Sequence, residues 1–276
     1  METYRYHSEV VRHLIRLTGI EPLHWSCDLH PSFNTTRFAL KMGGGENTLK
    51  IQHHYAHMLA LMADNSLPLG SRILGIALDG GVGYGGDGTI WGGGELFESS
   101  YFGYERIGHL LPQPMPGGDL ASRVPSRMVL GILFEKLGRP ELEKLPPCFS
   151  SGGDRELSTV LKQLETGINV VQSSSTGRVL DAASALLEIC KIRTYDGEPA
   201  MKLESAAKKS THVVDLPIVF KKYGAQEFLC LILPSFFLGH MSFPVSILLK
   251  ILLLRLRKAL QREFQNFPYL LPQKRA

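Results

Sequence analysis

Three histidines at the start of a predicted helix form the first cluster of residues able to do chemistry. The segment 53–65 has the apolar spacing of a helix and contains His53, His54 and His57. Residues four apart share one helix face, so His53 and His57 can bind a single ion. Paired imidazoles are common metal ligands, although this spacing alone fits a hydrogen-bonded helix start better. Asp79, at the end of the next predicted strand, favours the metal because it adds a carboxylate.

A glycine-rich segment from Asp79 to Glu95 is the second cluster. Nine of the fifteen residues from Gly80 to Gly94 are glycine, out of 28 in the whole chain. Such a turn lets backbone N–H groups approach a ligand closely, and phosphate is the usual ligand. The pattern is neither a P-loop nor a dinucleotide-binding fingerprint. Because a hairpin needs only a few glycines, this density favours a ligand-binding loop, with Asp87 as a further oxygen donor.

Two further segments combine a helix start with polar groups that fit a nucleotide. The first, PMPGGDLASRVPSRM, contains Asp119 and two arginines that can hold a ribose and a phosphate, and equally fits a solvated loop before a helix. The second, SSSTGRVLDAASALL (173–187), begins with residues that bind anions or serve as ordinary helix caps. There Arg178, Asp181 and, further on, Glu204 are candidate nucleotide contacts, and each taken singly fits a structural role better.

The elements that position these residues alternate in the manner of an α/β protein. Predicted helices and short strands alternate up to residue 78, an antiparallel meander covers 73–110, and 128–207 is mostly helical. With 276 residues, 44% of them hydrophobic, the chain is long enough for one large domain or two modest ones. Its net charge of +4 is too small to indicate a nucleic-acid-binding protein. The polar N-terminus predicts no signal peptide, and the widely spaced cysteines fit a reducing compartment.

The end of the chain differs in character from the rest. Residues 228–249 contain no Asp, Glu, Lys or Arg, whereas 250–276 carry seven basic residues and one acidic residue. The apolar run is long enough to span a bilayer, but two prolines, a glycine and a histidine interrupt it. Residues 247–264 have the pattern of a cationic amphipathic helix. We rank a buried or misfolded tail first, attachment to a membrane surface second and a membrane span last.

Several segments occur in an order that resembles one known family. They are CDLHPSFNTTRFA, IQHHYAH, IALDGGVGYGGDGTIWGGGELF, PMPGGD, SSSTGRVLDAASALL and YDGEPAMKLE. The series is similar to the C-terminal carbamoyltransferase module of HypF-type hydrogenase maturation factors, which is related to the TsaD-type proteins that modify tRNA. The resemblance covers residues 1–208, the first predicted domain, and the glycine run with W-G-G is highly specific. Residues 209–276, the second predicted segment, match the family poorly.

The resemblance implies an incomplete α/β fold of the actin/Hsp70/sugar-kinase type, with two ribonuclease-H-like lobes. It also implies a cytoplasmic enzyme that uses carbamoyl-adenylate, made from carbamoyl phosphate and ATP. The carbamoyl group would pass to the C-terminal cysteine of a HypE-like partner for synthesis of cyanide ligands. No nucleophile is then needed in this chain, and no nucleic acid is expected as a partner. Separate polypeptides would supply the upstream domains that make the adenylate.

The resemblance also assigns individual residues to this site. His53, His57 and Asp79 match the ligands of a divalent or ferric metal ion, iron or zinc. The positions that surround the nucleotide, ATP or carbamoyl-adenylate, are matched by Gly83, Gly85, Asp87, Gly118, Asp119, Gly177 and Asp181. The family has a late aspartate that completes the metal site, whereas this chain has no aspartate after Asp215.

Two other functions stay open at this point. One is a catalytically inactive remnant that still docks the partner, which the missing upstream domains favour. The other is a tRNA threonylcarbamoyladenosine-type transferase. The Asp79-Gly80 pair and the W-G-G run argue against the second, since TsaD-type relatives carry Ser-Gly-Gly at that strand end.

Overall fold

The contacts of the chain divide it into two units. The computed structural model describes residues 2–80, 83–85, 90–144, 152–208, 219–223 and 228–232. The first unit comprises the described residues of 1–67 and 83–89, and the second comprises those of 68–82 and 90–276. Of the candidate site residues, Asp87 lies outside the described ranges.

Helices and strands alternate along the first part of the chain, as the sequence predicts. In chain order the elements are α1 (Glu2–Thr18), β1 (Trp25–Asp28), α2 (Asn34–Gly43), β2 (Thr48–Ile51), α3 (His53–Asp64), β3 (Arg72–Leu78), β4 (Gly83–Tyr84), β5 (Ile90–Trp91), β6 (Gly94–Ser100), β7 (Gly103–Leu110), β8 (Gln113–Pro116), α4 (Asp119–Arg123), α5 (Ser126–Leu142), α6 (Gly153–Thr166), β9 (Val170–Ser173), α7 (Thr176–Leu186), α8 (Glu198–Ala207), β10 (Val219–Tyr223) and β11 (Phe228–Ile232).

The first unit contains α1–α3 with the parallel strands β1 and β2, and the short strand β4. The strands pair from Trp25↔Thr48 to Asp28↔Ile51, so their carboxyl ends lie at one edge. Phe38 of α2 is buried, and the rings of Tyr4, His7 and Trp25 contact it edge-on. This aromatic cluster fixes α1 and β1 against α2.

Helix α3 begins directly after β2 because Gln52 caps it. The Gln52 side chain accepts a hydrogen bond from the Tyr55 backbone N–H at 2.8 Å, which satisfies one of the free donors of the first turn. Met58 and Met62, one turn apart, are buried and form the apolar face. The predicted helix 53–65 is confirmed, and the cap leaves His53 as its first residue.

A five-stranded sheet in the order β10-β11-β7-β6-β3 forms one layer of the second unit. Strands β3, β6 and β7 are antiparallel neighbours, which confirms the predicted meander. Strand β11 then joins β7 in parallel, with Leu229 opposite Gly108 and Leu231 opposite Leu110. Two strands of the segment predicted to be atypical therefore belong to this sheet.

The helices of the second unit enclose its main apolar core. The buried members of this core come from β8, α4, α5, α6 and α7, and include Met115, Ala121, Met128, Leu161 and Ala182. Helix α5 approaches β8 closely at Gly131, where an added Cβ would lie 2.1 Å from the Pro114 carbonyl oxygen. Glycine at this position therefore lets the helix and the β8–β9 pair share one interface.

Helix α7 is shorter than the sequence predicts. The apolar pattern predicts a helix through Arg193, but α7 ends at Leu186. Glu188 has a φ of 58°, in the left-handed region that ends helices, and the Ser184 carbonyl accepts the Ile189 N–H. The chain then turns before α8.

The apolar run 228–249 begins with strand β11. Its remaining residues lie outside the described part of the chain, as does the predicted amphipathic helix 247–264. Within the described ranges, no helix has both the length and the apolar character needed to cross a membrane.

Candidate functional site

His53 and His57 are brought together at the start of α3 in the first unit. Their Nε2 atoms lie 3.3 Å apart, and the two rings are inclined at 82°. Two imidazole nitrogens bound to one tetrahedral metal at the usual bond length lie about 3.3 to 3.4 Å apart. Two imidazoles are also a donor set that zinc or iron accepts. The structure brings these two side chains together at a spacing that fits a shared metal ion, and the metal itself stays a prediction.

Asp28 contacts the opposite edge of the His53 ring. Its Oδ2 lies 3.2 Å from His53 Nδ1, while its Oδ1 accepts the His30 backbone N–H at 2.8 Å. The contact follows from the parallel pairing of β1 and β2, which places the end of β1 beside the residues that follow Ile51. Asp28 is not among the residues that the sequence patterns single out. The available signal was its position at the end of a predicted strand next to the strand that leads into α3.

His54 is fully buried, and its ring contacts the His53 ring edge-on, with the two ring centres 5.2 Å apart. Its Nδ1 lies 3.3 Å from Gln52 Nε2. Gly83 packs against this ring, since an added Cβ would lie 2.6 Å from His54 Cε1 and 2.9 Å from Gln52 Nε2. Gly83 is therefore buried against a histidine side chain. Gly85, two residues further along the chain, is half-buried. Their assignment to a nucleotide stays a prediction.

Asp79 lies at the end of β3 in the second unit. Its backbone N–H donates to the Gly93 carbonyl at 2.7 Å, and its own carbonyl accepts from Ser175 Oγ at 3.4 Å. Gly177 lies against the next residue, since its added Cβ would be 2.6 Å from Gly80 Cα. The structure therefore brings a candidate metal ligand, Asp79, beside a candidate nucleotide residue, Gly177.

The W-G-G segment and the start of α7 form one junction. Ser175 caps α7 by accepting the Arg178 backbone N–H at 3.2 Å. Thr176 Oγ1 donates to the Gly93 carbonyl at 3.0 Å, and the Gly92 N–H donates to Ser174 Oγ at 3.0 Å. Two motifs that are about 80 residues apart in the sequence thus share backbone contacts, which glycine makes sterically possible.

A buried ion pair supports this junction. Glu95 is fully buried, and it accepts hydrogen bonds from Ser174 Oγ and from Arg106 Nε, the latter at 2.7 Å. The Arg106 guanidinium lies 4.5 Å from the centre of the Trp91 ring, a cation–π contact. Burial lowers the pKa of the neighbouring His109. Because Glu95, Arg106 and Ser174 are distant in sequence, no local pattern indicated the network.

Asp181 is buried within α7 beside Arg178. The Asp181 Oδ2 lies 2.9 Å from an Arg178 guanidinium nitrogen, and both side chains are more than nine-tenths buried. Burial raises the pKa of Asp181 to about 6, and it lowers the pKa of Arg178. The pair therefore lies inside the second unit, and a nucleotide contact by Asp181 stays a prediction.

Gly118 and Asp119 lie at the start of α4. Gly118 has a φ of 56° and Asp119 is exposed. The β8–β9 ladder runs from Pro116↔Val170 to Gln113↔Ser173, so this turn and the start of α7 flank opposite ends of the ladder. Four residue pairs separate them by about 10 Å along the strands. The structure therefore does not place Gly118 and Asp119 next to Asp79 and Gly177.

Arg127 has a structural partner. Its Nε donates to Glu156 Oε1 at 2.9 Å, and its Nη1 lies 3.4 Å from Gln163 Oε1. This side chain, one of two arginines considered as phosphate contacts, joins α5 to α6 in a mostly buried ion pair.

Comparison with known families decides the identity of the module. A family model described as the HypF Kae1-like domain matches residues 1–64. A second, described as the carbamoyltransferase, Kae1-like domain, second subdomain, matches residues 75–234. The chain belongs to the HypF family of Kae1-like carbamoyltransferase domains. The HypF match extends through β10 and β11, beyond the predicted boundary at 208.

Curated HypF relatives are similar over most of this chain. The probable carbamoyltransferase HypF of Methanocaldococcus jannaschii is 42% identical over 212 residues, 75% of this chain and 27% of that protein. The carbamoyltransferase HypF of Rhodobacter capsulatus is 41% identical over 70% of this chain and 25% of its own length. The chain thus spans about a quarter of the length of these HypF relatives.

Solved HypF structures share the fold. The crystal structure of T. kodakarensis HypF matches with a TM-score of 0.78 at 35% identity, covering 96% of this chain and 36% of that one. Full-length HypF in a phosphate- and nucleotide-bound form matches with a TM-score of 0.70 at 27% identity, covering 98% and 38%. The predicted actin/Hsp70-like fold class, with ribonuclease-H-like lobes, is confirmed by these HypF neighbours.

Proposed function

We propose that this chain is the carbamoyl-transfer module of a HypF-type hydrogenase maturation system. In the proposed reaction, a cysteine thiolate of a HypE-like partner attacks the carbonyl carbon of carbamoyl-adenylate. A carbon–sulfur bond forms, the carbon–oxygen bond to phosphate breaks, and AMP leaves with the electron pair. The observation that carries the proposal is membership of the HypF family over both units, 1–64 and 75–234.

The metal ligands in this proposal are His53, His57 and Asp79, and the ion is iron or zinc. The spacing of the two Nε2 atoms supports the histidine part of the set. A bound ion supplies Lewis acidity that polarises a carbonyl oxygen. The protein's part is to hold two neutral imidazoles at ligand spacing, with the Gln52 cap fixing the first turn that carries them.

The nucleotide is proposed to bind near Gly83, Gly85 and Asp87 and at the start of α7. Gly177 lies in the first turn of α7, where backbone N–H groups and the helix dipole favour an anion. Its lack of a side chain lets Gly80 approach the first turn closely. The other proposed contacts are Gly118, Asp119 and Asp181. These residues would hold ATP or the adenylate, while the nucleophile comes from the partner.

Other polypeptides take part in the proposed reaction. Formation of carbamoyl-adenylate from carbamoyl phosphate and ATP is assigned to such polypeptides. The acceptor is a HypE-like protein with a C-terminal cysteine, and the reaction is placed in the cytoplasm. No nucleic acid takes part.

A transfer assay with separate donor and acceptor tests the function. A full-length HypF relative whose own histidine pair is replaced by alanine supplies the adenylate, and a HypE-like protein is the acceptor. We expect the purified chain to add a carbamoyl group to the acceptor's C-terminal peptide, as measured by mass spectrometry. His57→Ala is expected to abolish the transfer, and Asp64→Asn, an exposed change on the same helix, to leave it intact.

The second candidate is an inactive remnant that still docks the acceptor, and it is favoured by the burial of Asp181, a proposed nucleotide contact, in an ion pair with Arg178. A remnant would bind the HypE-like protein in a pull-down assay and leave its C-terminal peptide unmodified. That result, obtained with a donor that supports transfer by an intact HypF, would replace the transferase proposal.

A further inference from the structure

Asp28 lies beside the proposed metal site without belonging to its ligand set. Its carboxylate is mostly buried, with the side chain 14% exposed. One oxygen faces His53 Nδ1 at 3.2 Å, and the other accepts the His30 backbone N–H at 2.8 Å. The carboxylate is therefore oriented by the backbone at one oxygen and presents the other to the histidine ring.

The two nitrogens of His53 face different partners. Nδ1 faces the Asp28 carboxylate, which only accepts hydrogen bonds when ionised. Nε2 faces His57 Nε2 at 3.3 Å. A neutral imidazole carries one proton, and a carboxylate at Nδ1 favours the form in which that nitrogen carries it. The unprotonated Nε2 is then the atom available to a metal.

We propose that Asp28 is the positioning residue that selects the metal-binding tautomer of His53. The inference rests on the proposed metal site and adds a residue outside its ligand set. Metal-ligating histidines commonly donate their other ring N–H to a carboxylate, which fixes the ring and raises its basicity as a ligand. The fold supplies this arrangement because β1 and β2 are parallel, with Asp28 opposite Ile51 and His53 two residues further on.

Asp28→Asn tests the proposal with little change in side-chain shape. The amide keeps one oxygen for the His30 N–H and turns its NH2 group toward His53. Nδ1 must then accept a hydrogen bond, which moves the ring proton to Nε2, the nitrogen that faces His57. We expect the affinity for Zn²⁺, measured by chelator competition on the full chain, to fall about 10- to 100-fold. The control is Asp64→Asn, an exposed substitution at the far end of α3, and it is expected to bind Zn²⁺ like the wild type.

Heteronuclear NMR of the imidazole nitrogens gives a readout that needs no metal and no activity. At mildly alkaline pH, where imidazoles are neutral, wild-type His53 is expected to carry its proton on Nδ1. The signal is assigned by its loss in His53→Ala. In Asp28→Asn the proton is expected on Nε2. A wild-type His53 protonated on Nε2 would overturn the inference, whether or not the variant folds.

The outcomes separate this inference from the proposed function. If His57→Ala loses Zn²⁺ while Asp28→Asn keeps both affinity and tautomer, the metal site stands and the role of Asp28 is wrong. If His57→Ala binds Zn²⁺ like the wild type, the proposed metal site is wrong, and the inference that depends on it is overturned as well.

Discussion

At the scale of single residues, Asp181 shows what burial does to a charge. Its side chain is 3% exposed, and burial raises its pKa from an ordinary 3.8 to about 6. Because the folded form holds the proton more tightly, ionisation opposes folding. The cost is absent below about pH 4, grows as pH rises through 6, and is then complete. With the pKa raised from 3.8 to about 6, the full cost amounts to about 3 kcal/mol.

The measurement is urea unfolding of the wild type and Asp181→Asn between about pH 4 and pH 7. The free energy of unfolding of the wild type is expected to fall with rising pH relative to the variant. Comparing slopes removes the constant cost of altering the partner of Arg178. For the exposed control Asp64→Asn, the free energy of unfolding is expected to change with pH as it does in the wild type. Parallel curves for the wild type and Asp181→Asn would show that Asp181 titrates normally.

The residues of the site differ in how far the sequence could predict them. The pairing of His53 and His57 was predictable because a helix alone places residues four apart on one face. The contact of Asp28 with His53 depends on which strands pair and in which direction. The contact of Glu95 with Ser174 depends on the packing of β6 against the start of α7. No local periodicity carries such information.

At the scale of elements, the W-G-G segment and α7 approach each other closely enough to exclude a side chain. An added Cβ at Gly92 would lie 2.2 Å from the Ser175 backbone nitrogen and 2.6 Å from Ser173 Oγ. Gly92→Ala must therefore separate the two backbones. We expect it to lower the free energy of unfolding by about 1 to 3 kcal/mol.

Gly103→Ala is the matched control for that substitution, because it lies in the same meander and has no atom within 4 Å of an added Cβ. Its stability is expected to stay within about 0.5 kcal/mol of the wild type. The two variants are compared by chemical denaturation. Equal stabilities would mean that the junction accommodates a methyl group without moving apart.

Element boundaries were predictable where the residues themselves set them. The start of α3 follows from Gln52, and the limits of β3 follow from a continuous apolar run. The predicted end of α7, at Arg193, was wrong because the apolar pattern continues past Leu186 while the backbone turns at Glu188. A helical pattern in the sequence does not report a left-handed residue that tertiary packing imposes.

At the scale of the whole molecule, the boundary predicted at residue 208 is open to direct test. A chain ending at 208 lacks β10 and β11, and β7 then becomes an edge strand of the sheet. An unpaired edge promotes association between molecules. We expect chain 1–208 to aggregate with increasing concentration, and chain 1–234, the limit of the family match, to stay monodisperse. Light scattering after size-exclusion chromatography measures the association state of each chain. A monodisperse chain 1–208 would support the predicted boundary.

The buried Glu95 carboxylate has a consequence for the order in which the chain folds. The meander β3–β6–β7 closes within 39 residues, whereas Ser174 lies 79 residues after Glu95. Short loops close at a lower entropic cost than long ones, so the hairpins are expected to form first. Glu95 then has Arg106 as a partner while the side that faces Ser174 is still hydrated. Docking of α7 removes that water in the same step that supplies the hydroxyl, which makes the last stage of assembly cooperative.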